Sequence, residues 1–98
     1  MLNRQQFFEW LNDRSAMPSM DEPDYYDKAV KAYEARIGQK VEIDEELYWY
    51  FLEMLPPIYA PSGFYMCEMS IENITTLFTH EGDKYFCQYA RLPQRKAA

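Results

Sequence analysis

The chain has 98 residues and a formal net charge of −6, with 48 % apolar and 17 % aromatic residues. This length is typical of one domain, and the apolar fraction excludes a chain that is disordered throughout. The net negative charge comes from the middle third, because residues 21–54 carry ten acidic and four basic side chains, whereas acids and bases balance in the rest of the chain. Such a surface repels nucleic acids and anionic membranes and favours basic partners. An acidic helix face that only aids solubility is the plainer interpretation.

The sequence predicts a cytoplasmic protein with reduced thiols. The N-terminal segment MLNRQQFFEW is polar too early for a signal peptide, and no segment approaches the ~20 apolar residues of a membrane span. The two cysteines, Cys67 and Cys87, do not belong to a C-x-x-C pair. We expect them on the first and third strands of a meander, too far apart for a disulfide unless another strand order brings them together.

Two helices are predicted before residue 40. The first covers residues 4–16 with Asn3 as its N-cap, because its apolar residues recur at spacings of three and four. The second covers residues 23–38 and ends at Gly38, a residue type that commonly stops helices.

A third helix is predicted over residues 45–55, in the segment DEELYWYFLEMLPP, with Asp44 as its N-cap and a proline pair at its end. Its apolar residues share one face, which we expect to enter the core: Leu47, Tyr48, Phe51, Met54 and Leu55. The other side has the composition of an interface anchor, with two aromatic residues between two acids: Glu46, Trp49, Tyr50 and Glu53. Burial of both sides by the protein's own chain is the alternative.

After the third helix the apolar period changes from three-to-four to two, which is typical of strands. Strands are predicted at 63–70, 74–80 and 84–92, with a hairpin turn at EGD, residues 81–83. The predicted fold class is α+β, with three N-terminal helices packed on a three-stranded antiparallel β-meander. We expect a single domain over 1–98, with a helical part at 3–55, the meander at 63–92 and a frayed tail at 93–98.

No catalytic, metal or cofactor set emerges from the residues. Cys67, Cys87 and His80 fall short of the four ligands of a structural zinc site. Cys87 and His80 are not expected to lie opposite each other, as a nucleophile and its base would require. The glycines are scattered singly, so no phosphate-binding loop is present. Glu46 and Glu53 lie two helical turns apart, and a solvated helix face explains them without a catalytic role.

The segment EMLPPIYAPSGFYMCEMSIENITTLF contains Leu55, Pro56 and Pro57, a Gly-Phe-x-Met-x-Glu strand and a Thr/Phe-rich strand. Over about residues 47–92 it resembles a proteobacterial domain-of-unknown-function family, numbered fourteen-nineteen. The resemblance implies a cytoplasmic bacterial protein of mobile-element origin, because that family occurs in plasmid- and phage-rich genomic settings. It carries over no catalytic residue.

We therefore expect a small acidic non-enzymatic interaction protein that binds and modulates or inhibits a host or phage protein complex. The sharpest version is an anti-defence inhibitor, such as an anti-CRISPR protein, whose acids occupy sites meant for phosphates. The partner would present a basic surface, and self-association through the third helix is a further option. The predicted partner-binding residues are Asp21, Glu22, Asp24, Glu42, Glu45, Glu46, Trp49, Tyr50 and Glu53. The alternative is a small enzyme or toxin–antitoxin component that acts through carboxylates or Cys87.

Overall fold

The computed structural model describes residues 1–13, 17–54 and 57–93, and at residues 67–70 it describes the backbone alone. In this part of the chain, two helices are followed by a short strand, a third helix and then four consecutive strands. They are α1 (Arg4–Leu11), α2 (Tyr25–Arg36), β1 (Val41–Ile43), α3 (Glu45–Met54), β2 (Ile58–Ala60), β3 (Gly63–Ile71), β4 (Ile74–Glu81) and β5 (Lys84–Arg91). Within the described residues, none of the helices has the length and apolarity needed to cross a membrane.

The strands form one antiparallel sheet in the order β1-β5-β4-β3-β2. The α+β class is as predicted, but the architecture of three N-terminal helices on a three-stranded meander is wrong. The meander is present as β3, β4 and β5, and two short strands extend it at its edges. Because β1 lies between α2 and α3, the helices do not all precede the sheet. Strands of three residues are too short to reveal a period of two in the sequence.

Two-residue turns join the strands of the meander. Glu72 and Asn73, between β3 and β4, both have positive φ, at 49° and 63°. Positive φ at both central positions is the type I′ geometry, whose twist matches that of antiparallel strands. Gly82, between β4 and β5, has a φ of 61° and lies in the predicted EGD turn. The two turns therefore lie at opposite ends of β4.

The core lies between one face of the sheet and the helices. Phe78 of β4 stacks on Phe64 of β3 with ring centroids 5.0 Å apart, and on Phe51 of α3 at 5.0 Å. Phe7 of α1 contacts Phe51 and Phe78 at 5.5 and 6.1 Å. Cys87 of β5 lies opposite Phe78 and is fully buried. These rings hold two helices and the central strands together.

Side-chain caps begin α1 and α3, as predicted for Asn3 and Asp44. The Asn3 side chain accepts a hydrogen bond from the Gln6 backbone N–H at 2.8 Å, and the Gln6 side chain accepts one from the Asn3 N–H at 3.0 Å. The Asp44 carboxylate accepts a hydrogen bond from the Glu46 N–H at 3.2 Å. These bonds satisfy donors that a helix start leaves without partners.

Some predicted boundaries shift or fall outside the described residues. α1 ends at Leu11 and not at residue 16, and the side-chain amide of Asn12 donates to the Phe8 carbonyl at 3.0 Å. Asparagine competes in this way for backbone groups at helix ends. Residues 14–16 of the predicted first helix, Leu55 and Pro56 at the end of the third, and residues 94–98 of the predicted frayed tail lie outside the described residues. The single domain stays a prediction.

Arg36, at the end of α2, joins α2 to α1 and β5. Its Nη1 donates to the Tyr89 hydroxyl at 2.9 Å, and its Nη2 donates to the Trp10 carbonyl. The guanidinium carbon lies 4.2 Å from the Tyr89 ring centroid and 4.9 Å from that of Trp10. The Tyr89 hydroxyl in turn donates to the Leu11 carbonyl at 3.1 Å. One cation between two aromatic faces thus positions the end of α2 against α1.

Replacement of Gly63 by alanine is expected to destabilise the fold strongly. A Cβ at Gly63 would lie 1.7 Å from the backbone oxygen of Phe78, so β3 and β4 would have to separate. We expect the free energy of unfolding to fall by about 1–3 kcal/mol or more, as for other overpacked sites. Urea unfolding followed by circular dichroism measures this. Ser62→Ala, at the exposed neighbouring position, is the control, and equal stability of the two variants would contradict the close approach.

Tyr89 is expected to make the fold sensitive to alkali. Burial raises the pKa of Tyr89 from its usual 10.0 to about 12. Below pH 10 the phenol is protonated in both states, so its contribution to stability is present in full. Between pH 10 and 12 the unfolded chain loses this proton first, so stability falls as pH rises. In urea unfolding at pH 9, 10 and 11, Tyr89→Phe should lose stability less steeply than the wild type.

Tyr59→Phe is the matched control for this pH series, because the Tyr59 side chain is 74 % exposed. It should lose stability in parallel with the wild type. Parallel curves for Tyr89→Phe as well would show that Tyr89 does not carry the alkaline sensitivity.

Candidate interaction surface

α3 is anchored to the sheet at its first residues. Ile43 of β1 pairs with Tyr85 of β5, and Asp44 follows directly as the N-cap of α3. This pairing brings the start of α3 beside the start of β5 and the turn at Gly82. Ile43 itself is buried in the core cluster, so the anchor is apolar as well as hydrogen-bonded.

The core face of α3 is as predicted at Leu47, Tyr48 and Phe51, which are all buried. Met54 differs, because it is 41 % exposed. It lines the mouth of an apolar cavity of about 210 Å³ between the helices and the sheet. Leu55, the last residue of the predicted core face, lies outside the described residues.

The outer side of α3 is open to solvent. Trp49 is 45 % exposed and Tyr50 is 41 % exposed, and three glutamates surround them on the same helix. The protein's own described chain therefore covers these rings only in part. We call Glu45, Glu46, Trp49, Tyr50 and Glu53 the α3 surface.

Trp49 and Tyr50 make different contacts within the α3 surface. The Tyr50 ring lies under the guanidinium of Arg4 from α1, with 5.0 Å between the guanidinium carbon and the ring centroid. The Trp49 ring instead meets Tyr48 edge to face at 5.4 Å, and its indole Nε1–H donates to Glu45 at 3.3 Å. The Tyr50 ring thus already contacts a cation of the same chain, whereas the Trp49 indole is hydrogen-bonded to a carboxylate.

The acids of the α3 surface have no cationic partner among the described residues. Glu22 and Asp24 both pair with Lys28, at 3.3 and 3.5 Å. The other ion pairs join Lys40 to Glu81 and Arg91 to Glu34. In the part of the chain that the structure describes, no ion pair involves Glu45, Glu46 or Glu53. These three carboxylates are exposed and, in the described part of the chain, unpaired, because the Arg4 guanidinium that lies over the Tyr50 ring forms no ion pair with them.

The nine residues predicted to bind a partner do not form one surface. Tyr26, at the start of α2, donates a hydrogen bond to Glu72 in the turn between β3 and β4. The acids that precede α2 consequently lie near that end of the sheet: Asp21, Glu22 and Asp24. The first turn of α3 lies near the other end of β4, an eight-residue strand, on the order of 25 Å away at 3.3–3.4 Å per residue.

Glu42 is separated from the α3 surface in another way. It lies on β1 opposite Phe86, between Val41 and Ile43, which both pack on the helix side of the sheet. Since side chains alternate between the faces of a strand, Glu42 points to the face without the helices. Of the nine residues, those on α3 share one helix surface, and their role in binding stays a prediction.

An aromatic pocket of about 280 Å³ lies beside the α3 surface. It opens between α3, β2 and the hairpin of β4 and β5. The Tyr48 and Tyr85 ring centroids are 4.8 Å apart, and His80 lies 6.1 Å from Tyr48 and 6.3 Å from Tyr85. The lining residues are Tyr48, Trp49, Leu52, Tyr59, Gly63, Phe64, His80, Gly82 and Tyr85.

Two tyrosines that line the pocket, Tyr48 and Tyr85, have raised pKa values. Desolvation raises the pKa of Tyr85, and the carboxylate of Glu45 acts in the same direction. Desolvation likewise raises the pKa of Tyr48. At neutral pH both hydroxyl groups are protonated, as in any tyrosine of ordinary pKa. The pocket offers aromatic faces with one carboxylate beside it, which suits a positively charged or hydrogen-bonding guest.

Sequence reasoning missed Tyr59, His80 and Tyr85 as members of this site. Their proximity to α3 depends on the two short strands that were not predicted, since β1 brings α3 to Tyr85 and β2 pairs Tyr59 with Phe64. In the sequence, these three residues are recognisable only as polar aromatic side chains near the ends of strands. Without the strand order, the sequence does not show that they lie close together.

Cys87 does not have the environment of a nucleophile. Its side chain is fully buried, and desolvation raises the pKa of its thiol far above the usual range. It pairs with Phe78 and not with His80, as predicted. β4 separates β3, which carries Cys67, from β5, and the side chain of Cys67 lies outside the description. Among the described residues no group of three or more metal-ligating side chains is found.

A family model for a protein of unknown function, DUF1419, matches residues 1–98. This chain belongs to the DUF1419 family. The match covers the first two helices as well as the segment 47–92 that carries the sequence resemblance. No curated protein and no solved structure matches the chain. The site of this DUF1419 member is therefore interpreted from its own geometry.

The two sides of α3 in this DUF1419 protein are expected to differ in their effect on stability. Phe51→Ala removes a ring that is 3 % exposed, and should lower the free energy of unfolding by about 3–5 kcal/mol. Trp49→Ala, on the solvent side of the same helix, should lower the free energy of unfolding by only about 1 kcal/mol, close to the small effects of other surface substitutions. Urea midpoints of both variants test this, and comparable losses would place Trp49 in the core.

Proposed function

We propose that this chain is a cytoplasmic, non-enzymatic interaction protein that binds a basic protein surface through the α3 surface. The observation that carries the proposal is a half-exposed tryptophan among three acids without ion-pair partners in the described part of the chain. Tryptophan and tyrosine dominate binding energy at protein interfaces. Uncompensated charge steers a partner of opposite sign and selects against others.

The rigidity of the α3 surface supports this role. α3 is held by Phe51 and Leu47 in the core, by the Asp44 cap, and by the Ile43–Tyr85 pair. A partner would therefore meet side chains whose backbone is already in place, which lowers the entropy cost of binding. The Arg4–Tyr50 contact, with 5.0 Å between guanidinium carbon and ring centroid, further restrains one ring of the surface.

The inhibitory version of the proposal follows from the same charge. A basic groove that binds nucleic acid presents Lys and Arg at phosphate spacing, and carboxylates on a rigid helix can occupy those positions. The α3 acids would then compete directly with nucleic acid. In a bacterial mobile-element setting, the corresponding target is a nucleic-acid-guided defence complex, which makes the protein an anti-defence or anti-CRISPR inhibitor.

Matched charge variants test the proposal. Glu45→Gln/Glu46→Gln/Glu53→Gln removes three negative charges from the α3 surface, and Asp21→Asn/Glu22→Gln/Asp24→Asn removes three from the far end of the sheet. Affinity capture from host lysate, followed by titration with the purified partner, should show an affinity loss of about tenfold or more for the first variant. The second should stay within about threefold, because Lys28 already compensates two of its acids.

Salt and a polyanion separate the versions of this proposal. Binding should weaken as sodium chloride rises from 50 to 500 mM, and an oligonucleotide should displace the partner if phosphate sites are occupied. Equal losses of affinity in both triple variants would show that binding depends on the net charge of the protein and not on the α3 surface. If the wild type captures only itself, and sedimentation shows that Trp49→Ala abolishes the assembly, the α3 surface is a self-association face and the proposal is wrong.

A further inference from the structure

The aromatic pocket has the chemistry of a site for an organic cation. The rings of Trp49 and Tyr85 line it with Tyr59, and the buried Tyr48 ring lies 4.8 Å from Tyr85 and 5.4 Å from Trp49. Aromatic faces carry negative partial charge and attract ammonium and guanidinium groups. No lysine or arginine is among the residues that line the pocket. The chain's own described cations therefore do not fill it.

A carboxylate lies beside the pocket, since Glu45 contacts two of the lining residues, Trp49 and Tyr85, without lining the pocket itself. Glu45 is exposed, accepts the indole hydrogen bond of Trp49 at 3.3 Å, and has no ion pair in the described part of the chain. The nearby Lys40 is bound elsewhere, since its Nζ pairs with Glu81 at 3.0 Å and lies 4.1 Å from the Phe86 ring centroid. Phe86 alternates with Tyr85 and so lies on the other face of the sheet.

The same protein already shows how it binds a guanidinium. Arg36 lies over one tryptophan and one tyrosine, Trp10 and Tyr89, and donates to an oxygen on each. The aromatic pocket also contains a tryptophan and a tyrosine, Trp49 and Tyr85, but it has no arginine, and the acceptor beside it is the Glu45 carboxylate instead of a hydroxyl and a backbone carbonyl. A planar guanidinium can stack on the rings and donate to a carboxylate at once, which a compact ammonium cannot do as well.

The pocket has the room for such a group. Its volume of about 280 Å³ is far above the roughly 10–15 Å³ that one water molecule requires by the same type of measure. Two of the lining residues, Gly63 and Gly82, have no side chain that could fill the pocket. Tyr59 on the edge strand β2 also lines the pocket and is 74 % exposed. A side chain that enters from solvent would reach the rings without displacing the core.

We propose that the aromatic pocket binds the guanidinium of an arginine on the partner protein, between Trp49, Tyr59 and Tyr85 with Glu45 as its counter-ion. This inference rests on the proposed function for the partner, but the pocket can be tested with a small cation alone. The probe is methylguanidinium, and the uncharged control of the same shape is methylurea.

The experiment follows the indole N–H signals of the ¹⁵N-labelled full chain by NMR, with the Trp49 signal assigned from Trp49→Phe. Methylguanidinium should shift the Trp49 signal saturably in the millimolar range, whereas methylurea should not. The Trp10 signal is an internal control, because Arg36 already occupies that ring. Equal shifts with both probes, or no shift up to about 100 mM, would overturn the proposal.

Neighbouring glutamates provide the matched variants. Glu45→Gln should weaken methylguanidinium binding by about two- to fivefold, the range expected of one exposed charge contact. Glu46→Gln removes the same charge one residue away. Glu45 contacts Trp49 and Tyr85, which line the pocket, whereas the described structure shows no such contact for Glu46. Glu46→Gln should therefore leave the affinity within error. Tyr59→Leu, at an exposed position, should also weaken binding. An equal effect of both glutamine variants would show general electrostatic attraction and contradict a built site.

The outcomes separate this inference from the proposed function. If methylguanidinium fails to bind while the α3 triple variant still loses its partner, the pocket proposal is wrong and the interaction surface stands. If methylguanidinium binds while neither triple variant changes partner binding, the pocket binds a cation, but the α3 surface is not the interface and the assignment to an arginine of the partner is wrong.

Discussion

The contact of Phe51 with Phe78 and Phe7 is the interaction on which the rest of the structure depends. It connects α3 to the central strand and to α1, with centroid distances of 5.0 and 5.5 Å. Once Phe51 faces the sheet, the helical period of 3.6 residues places Trp49, two positions earlier, about 200° away. The exposure of Trp49 is therefore a geometric consequence of the core.

The edge strands determine what lies beside that exposed ring. β1 is only three residues long, yet its pairing with β5 sets the start of α3 against Tyr85 and the second turn of the meander. β2, equally short, adds Tyr59 to the same face as Phe64. Without these two pairings the aromatic residues of the pocket would belong to separate parts of the chain. The site is thus a product of sheet pairing at both edges and not of α3 alone.

The acidic side chains differ in whether a cation lies beside them, which composition does not reveal. The acids before α2 are partly compensated by Lys28, and Glu42 lies on the face without the helices. The acids of α3 have no such partner in the described residues. Two pairs of a tryptophan and a tyrosine also differ in their contacts. Arg36 lies over the rings of Trp10 and Tyr89, whereas no described cation of the chain lines the pocket that contains Trp49 and Tyr85. The proposed cation site rests on this difference.

By itself, the sequence determined the elements whose signals are local. Helix caps at Asn3 and Asp44, the buried positions Leu47, Tyr48 and Phe51, and the meander strands all follow from capping chemistry and hydrophobic period, which act between residues close in the chain. The same period places Trp49 and Tyr50 off the core face, but only the structure shows that the described chain leaves them partly exposed. The family resemblance also extends to the full chain.

Only the tertiary structure decided which of these residues meet. β1 and β2 are too short to carry a period, and they form because β5 and β3 offer unpaired backbone groups at the sheet edges. Their pairing is a contact between distant segments, as in Ile43 with Tyr85. It separates nine candidate residues into different regions and assembles a pocket around Trp49, because strand order and register are set by long-range pairing and not by local sequence.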